Sequence, residues 1–496
     1  MSEDLNRHAD AATPRTRERT VSWVLLLASG ASMALLVYAM VQENFLTPWR
    51  GIQRRYASML EGSSDPKQRQ LAPDFAVDLR QVDLPQLGTV DRCVACHVGL
   101  DNPAMANADQ PFRTHSGQVL DHHPVAEYGC TTCHRGQGAA TNLTEAKAVG
   151  VHWDYPLLPA GLTQSSCGMC HGADSPLMQQ HAPKLALGRR LFVERGCQSC
   201  HKLGGRGGQL GPALDGIGRK TIHVLPMVNV QGEPTLASWI SQHFDDPQRI
   251  VVGSQMPPPR LTPAQTDALT VYMLSLQGRA LPHDYIARDK VAEWHTARNV
   301  PTTQGAELYA QHCKTCHGEG THGRWYAFFD QFTPAVRGPG LRAMADTAFM
   351  RAAVAKGRPG TLMPGWDATG GGLSDVQVDA IVSYLAAGDG RPVQSLRPAP
   401  DNLSAGQVAR GAQLFIQQCS ACHGNAGQGR LGPALANPAF LSQATDALLA
   451  NTVVNGRQDT AMPAFQQPDG SGLSDQEVRD LVAFVRSLGP RAVSQR

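Results

Sequence analysis

The sequence has no surplus of either charge: 44 Lys and Arg stand against 42 Asp and Glu, for a formal net charge of +2. That balance offers nothing to a polyanion, so no nucleic-acid partner is expected. There is also no cysteine outside one short motif. All 12 cysteines sit in Cys-x-x-Cys-His runs, reading CVACH (93–97), CTTCH (130–134), CGMCH (167–171), CQSCH (197–201), CKTCH (313–317) and CSACH (419–423). None is spare for a separate disulfide framework. Between Cys93 and Cys197 there is no Met-Pro pair, although three such pairs occur later.

What is present is a repeated attachment chemistry. One Cys-x-x-Cys pair alone reads equally as a redox dithiol or half of a zinc site. Six copies, each followed at once by His, read instead as covalent haem sites, with zinc or disulfide arrangements as the alternative. Two thiols bond the porphyrin and the adjacent imidazole binds the iron. The candidate cofactor is therefore six covalently bound haem c. It would be held by Cys93, Cys96, Cys130, Cys133, Cys167, Cys170, Cys197, Cys200, Cys313, Cys316, Cys419 and Cys422. His97, His134, His171, His201, His317 and His423 are the proximal iron ligands in that reading.

At 496 residues the chain has room for three to five domains, and 49 Gly and 34 Pro imply many turns and linkers. VSWVLLLASGASMALLVYAMV (21–41) carries no charge over a length that crosses a bilayer core. A cleaved signal peptide is the alternative, but secretory apolar cores are usually shorter. Arg7, Arg15, Arg17 and Arg19 precede the run, which suits a cytoplasmic N-terminus. Attachment of c-type haem in bacteria takes place outside the cytoplasm, so the remaining chain is expected in the periplasm, tethered to the inner membrane by a single pass.

The last three motifs recur in a longer pattern. GRRLFVERGCQSCH, GAELYAQHCKTCH and GAQLFIQQCSACH each lead in with a short apolar helix. Gly-Pro turns follow at Pro212, Pro339 and Pro433, then Met-Pro at Met256, Met363 and Met462. Each unit closes with a helix whose start reads as a capping box: Thr262 with Gln265, Ser374 with Gln377, Ser474 with Glu477. This pattern resembles the class I cytochrome c fold over 185–279, 302–389 and 405–490. The resemblance implies Met256, Met363 and Met462 as distal iron ligands, and a Pro carbonyl after each Gly that orients the proximal imidazole. The alternative for each Met is a flexible core filler. Unit two inserts EGTHGRWYAFFDQFTPAV (319–336), whose aromatics either cover a haem edge or form a docking surface.

The first three motifs follow another plan. Cys93, Cys130 and Cys167 are spaced 37 residues apart, too little for each to enclose a haem alone. They are expected to share walls, with bis-His ligation. His115, His123 and His152 are the candidate distal ligands, their pairing with irons left open, while His122 and His181 read as surface residues. TPWRGIQRRY (47–56), LPQLGTVDRCVACHVGLDNP (84–103), YGCTTCHRGQG (128–138) and HWDYPLLP (152–159) are similar to membrane-bound multihaem cytochromes c found with bc-type quinol-oxidising complexes in bacteria.

The expected fold class is mainly α: an N-terminal transmembrane helix, a compact loop-rich trihaem region and three tandem class I cytochrome c domains. The boundaries are a cytoplasmic N-terminus at 1–20, an anchor at 21–42, a linker at 43–92, a trihaem region at 93–184, and domains at 185–280, 302–389 and 405–496. Segments 280–301 and 389–404 read as linkers that let the last units shift or dock rigidly. The resemblance implies an electron-transfer subunit without independent catalysis. Its partners would be a cytochrome b-type or related quinol-oxidising membrane complex, the lipid bilayer, and a soluble carrier or oxidase. The alternatives are a multihaem reductase or peroxidase with an open haem, or a haem subunit of a terminal oxidase, which the tandem units resemble loosely.

Overall fold

The computed structural model describes residues 14–150, 152–298, 305–329 and 331–489. Most of the expected cytoplasmic segment, with Arg7, lies outside the described residues, as do 302–304 and 490–496 at the edges of two expected domains. The fold is mainly α, with two short antiparallel hairpins among the described residues. The chain divides into two compact units, 1–158 and 159–496.

In the first unit, helix α1 (Pro14–Asn44) contains the uncharged run. Among the described residues it belongs to the one segment long and apolar enough to cross a membrane, and its apolar side chains are exposed. Helix α2 (Pro48–Glu61) begins with Pro at its first turn, where no amide hydrogen is needed. Trp49, Gln53, Tyr56 and Leu60 recur at helical spacing and are buried on one face. Tyr56 and Leu60 join Ala72, Val98, Met105 and Phe112 in one cluster. A hairpin of β1 (Val82–Leu84) and β2 (Thr89–Asp91) pairs Val82 with Asp91. Residues 43–92 thus form the wall behind the first motif, where the sequence reads as a linker.

The second unit opens with α3 (Gln164–Cys170), α4 (Pro183–Glu194), α5 (Leu236–Asp245), α6 (Pro263–Ser275) and α7 (Arg288–Arg298). It continues with α8 (Gly305–His312), the hairpin β3 (Arg324–Tyr326) and β4 (Gln331–Thr333), α9 (Thr347–Lys356) and α10 (Asp375–Ala387). Helices α11 (Val408–Gln418), α12 (Asp446–Asn455) and α13 (Asp475–Ser487) close the chain.

Three helix crossings repeat one design: α4 on α6, α8 on α10, α11 on α13. At each, a glycine lets the backbones meet. A Cβ would lie 2.1 Å from the Ala268 carbonyl oxygen at Gly188, 2.1 Å from that of Ala380 at Gly305, and 1.9 Å from that of Asp480 at Gly411. Four residues on, an aromatic pair locks each crossing: Phe192–Tyr272 and Tyr309–Tyr384 at 5.4 Å, Phe415–Phe484 at 5.1 Å. Such pairs contribute about 0.5–1.5 kcal/mol beyond their buried area. All three expected capping boxes are formed.

Of the two segments read as linkers, 389–404 and the described part of 280–301 are both built in, while 299–301 lie outside the described residues. Residues 288–298 are helix α7. Segment 389–404 is pinned by Arg391 on Asp459 at 2.6 Å, Gln394 on Gln458 at 3.1 Å and Arg397 on Asn455 at 2.7 Å. The second and third repeats share one continuous core, from Leu308 through Leu385 to Phe415 and Val485.

The expected trihaem region is divided. CVACH and CTTCH lie in the first unit, while CGMCH ends α3 in the second, packed on α4 and α6. At Gly168 a Cβ would approach Ser275 Cβ to 2.8 Å, so the middle of this motif lies directly on α6. The CGMCH motif, flanked by too little chain to form a domain of its own, uses the nearest completed domain as its wall.

Candidate haem-attachment sites

None of the twelve cysteines is in a disulfide, as thioether formation requires. Four of the motif histidines, His171, His201, His317 and His423, are held through Nδ1, which presents Nε2 as the nitrogen that could bind iron. His201 Nδ1 meets the Pro212 carbonyl at 2.8 Å and His423 Nδ1 meets that of Pro433 at 2.9 Å. In both, the glycine before the proline lies against the ring: a Cβ on Gly211 would be 2.3 Å from His201 Cε1, and one on Gly432 would be 2.8 Å from His423 Cε1. Burial pushes His201, His317 and His423 below the ordinary imidazole range, opposed by these carbonyl bonds. Burial thus favours the neutral imidazole of each, the form that binds a metal.

Unit two departs from the expected use of Pro339. His317 Nδ1 meets the carbonyl of Pro334 at 3.2 Å instead. The inserted hairpin explains the change, since β4 brings residue 334 beneath the ring while Pro339 starts a helical turn. The insert's aromatics pack on one another, Tyr326 stacked on Phe329 at 5.1 Å and Phe328 edge-on to Phe329 at 5.0 Å. Phe328 and Phe329 also line a cavity of about 370 Å³ with Ser254, Gln255 and Leu362, the neighbours of Met256 and Met363. Trp325 is exposed.

The three Met-Pro loops share a brace that sequence reading missed. The amides of Met256, Met363 and Met462 donate to hydroxyls two residues back, on Ser254, Thr361 and Thr460, at 3.1–3.2 Å. In units two and three the loop also closes on itself, the amides of Arg358 and Arg457 each donating to the following Met carbonyl at 2.9 Å. Gly357 and Gly456, both at φ 64°, leave room for this, because a Cβ would lie 2.6 and 2.7 Å from the Met carbonyls. The signal was legible as GRPGTLMP and GRQDTAMP, a shared Gly-Arg-x-x-Thr-x-Met-Pro. All three methionines are half-buried.

In the first unit one buried carboxylate joins two motifs. Asp91 Oδ2 accepts from the amides of Cys130 at 2.6 Å and Thr131 at 3.0 Å, and Asp91 lies two residues before Cys93. The thiols of Cys93 and Cys130 are hydrogen-bonded to each other, and that contact with burial drives the Cys130 thiol far above the ordinary range. Buried Gln53 on α2 donates to the Ala95 carbonyl inside CVACH at 2.9 Å. His97 is bound to the Pro111 backbone, and burial lowers its basicity.

The candidate distal histidines fare differently. His115 lies opposite His134, ring centroids 6.2 Å apart, with a buried ring nitrogen that has no hydrogen-bond partner among the described residues. Burial, then the nearness of His115 and His97, lowers His134. His123 instead folds back locally, its Nδ1 3.0 Å from the Val119 carbonyl and its ring 5.0 Å from Tyr128. His152 is exposed in a turn, and His122 and His181 are exposed as well. His171 meets both oxygens of Asp289, at 3.2 and 3.3 Å.

Helix crossings, oriented motif histidines and braced methionine loops define cytochrome c domains. Residues 185–277 match the family described as Cytochrome c, and 300–385 with 406–485 match Cytochrome C oxidase, cbb3-type, subunit III. These three regions are cytochrome c domains, a class that carries covalently bound haem c. The chain is similar to the cbb3-type cytochrome c oxidase subunit CcoP of Azospirillum sp. (27% identity over 206 residues, 37% of this chain, 61% of the relative). It is also similar to the cytochrome bc1 complex cytochrome c subunit of Corynebacterium diphtheriae (28% over 199 residues, 37% and 65%). A third relative is the cbb3-type subunit FixP of a Bradyrhizobium species (26% over 201 residues, 38% and 60%). The chain spans about three fifths of the length of these curated relatives.

Proposed function

We propose that the chain is a membrane-anchored hexahaem conduit, carrying electrons from a quinol-oxidising, bc-type membrane complex to a periplasmic carrier or terminal oxidase. The observation that carries this reading is the adjacency of attachment motifs: Cys93 touches Cys130, and Ser199 of CQSCH lies 3.2 Å from Thr315 of CKTCH. Bound haem would supply one-electron chemistry at each motif. The chain's own residues hold it, orient its histidine ligands and set the iron environment.

Met256, Met363 and Met462 serve as distal ligands, on the support of their three matching braces. His115 and His134 serve one iron together, because two imidazoles bonded to one metal at about 2 Å each leave ring centres roughly 6 Å apart. Thioether ligation raises a haem potential above that of a bis-His site, so the first unit holds the lower potentials. Exposed apolar α1 supports anchoring, and relatives named as subunits of bc1 and cbb3 complexes support a respiratory partner.

The test is a haem count and a redox titration of the purified full chain. Six haems per chain with the first-unit components below the Met-ligated ones agree with the proposal; first-unit components above the Met-ligated ones overturn the direction. Co-purification from mild detergent distinguishes the partner, a cytochrome b complex or a copper–haem oxidase. The latter would favour the terminal-oxidase subunit, the reading toward which the cbb3-type matches at 300–385 and 406–485 point.

A further inference from the structure

Of the five motif histidines with an identified hydrogen-bonding partner, four face a backbone group of a proline: Pro111, Pro212, Pro334 and Pro433. His171 faces a carboxylate. Its Nδ1 lies 3.2 and 3.3 Å from the two oxygens of Asp289, a residue 118 positions away, and both side chains are mostly buried, at 16% and 23% exposure.

The contact is built rather than incidental. The Ala287 amide donates to the carbonyl of Cys170 at 3.0 Å, seating the start of α7 on the motif. Gly172 makes the seat possible, since a Cβ there would lie 2.7 Å from the Asp289 carbonyl oxygen. Asp289 stands in the first turn of α7, where the helix dipole favours a negative charge. The neighbouring cation Lys290 is engaged by Glu293 at 2.8 Å, although its amide also donates to Asp289 Oδ1 at 3.0 Å.

We infer that Asp289 is a positioning residue that lowers the redox potential of the haem held by Cys167 and Cys170, acting through His171. A charged acceptor binds an N–H more strongly than a neutral carbonyl does. It draws the Nδ1 proton and leaves more electron density on Nε2, making the imidazole a stronger donor. A stronger donor, with a fixed negative charge behind it, favours ferric over ferrous iron. The site is thereby separated in potential from those whose histidine rests on a proline carbonyl. The inference rests on the proposed attachment of a haem at Cys167 and Cys170.

The experiment compares redox titrations of the full chain with Asp289→Asn, each with its haem count. One component should move upward in Asp289→Asn while the others and the count stay as they were. That component should be the one missing from a Cys167→Ser/Cys170→Ser variant. Unchanged potentials in Asp289→Asn overturn the inference. Should that variant not accumulate, Gly172→Ala displaces the carboxylate instead: the same component rises, or the inference falls. A double-cysteine variant that keeps its full haem count would sink the attachment reading itself, a distinct outcome.

Discussion

The Ser199 hydroxyl lies 3.2 Å from that of Thr315, and Thr315 also donates to the Gly196 carbonyl at 3.1 Å. One polar knot therefore holds two attachment loops, from consecutive domains, back to back. Gly196 sits at φ 65°, and a Cβ there would fall 1.9 Å from Thr315 Oγ1. Gly196→Ala is expected to lower stability by about 1–3 kcal/mol through overpacking, read by thermal unfolding. Adding Thr315→Ala should recover part of that loss. The left-handed backbone would keep the remainder, of order 1 kcal/mol.

The three Gly-Pro turns should not respond alike. Gly211→Ala and Gly432→Ala press a methyl group on the proximal rings, so each should disturb one low-spin ferric signal and cost about 1–3 kcal/mol. At Gly338 the nearest atom is the Thr321 carbonyl oxygen at 2.9 Å, away from His317. Electron paramagnetic resonance of Gly338→Ala should therefore match the parent, and a lost signal there would contradict the role given to Pro334.

His115→Ala should open one iron of the first unit. The expected signs are a high-spin ferric fraction and cyanide binding by one haem. His123→Ala and His152→Ala should leave the spectrum as it was, since one folds onto Val119 and the other is exposed. A high-spin fraction from His123→Ala instead would transfer the ligand role to it.

Asp367 predicts an acid-sensitive joint. Lys356, then Thr369 and the Gly370 amide, hold its carboxyl well below the ordinary value of 3.8. The unfolded chain takes up this proton more readily, so the contribution is complete above the ordinary carboxylate range and is lost as pH falls through and below it. Melting temperature should drop over that window, and Asp367→Asn should flatten the drop. An unchanged slope in the variant would remove Asp367 from the account.

Local rules made the repeats legible. Capping boxes, Met-Pro loops and lead-in helices each lie within a dozen residues, and the same glycine and aromatic recur in GRRLF, GAELY and GAQLF. What escaped was set by long-range contact. Asp289 meets His171 across 118 residues, and His115 faces His134 only once the loop between them is folded. Pro334 displaced Pro339 because a hairpin changes which carbonyl reaches the ring, and counting from Gly-Pro cannot register a hairpin. The segments read as linkers lack strong apolar periodicity, yet they are held by hydrogen bonds and by a neighbour's surface. His152, a candidate from its setting in HWDYPLLP, lies in an exposed turn.

Segment 389–404 behaves as a strut. The Arg391 guanidinium is clamped on Asp389 and Asp459, while that of Arg397 reaches the Val454 carbonyl at 2.9 Å. Brief digestion of the native protein with a protease of broad specificity should spare this junction, where a slack tether would be cut. Because the two domains cannot drift apart and collide again, thickening the solvent with glycerol should leave the rate of exchange between them unchanged. A pair of domains on a slack tether would slow in proportion to viscosity.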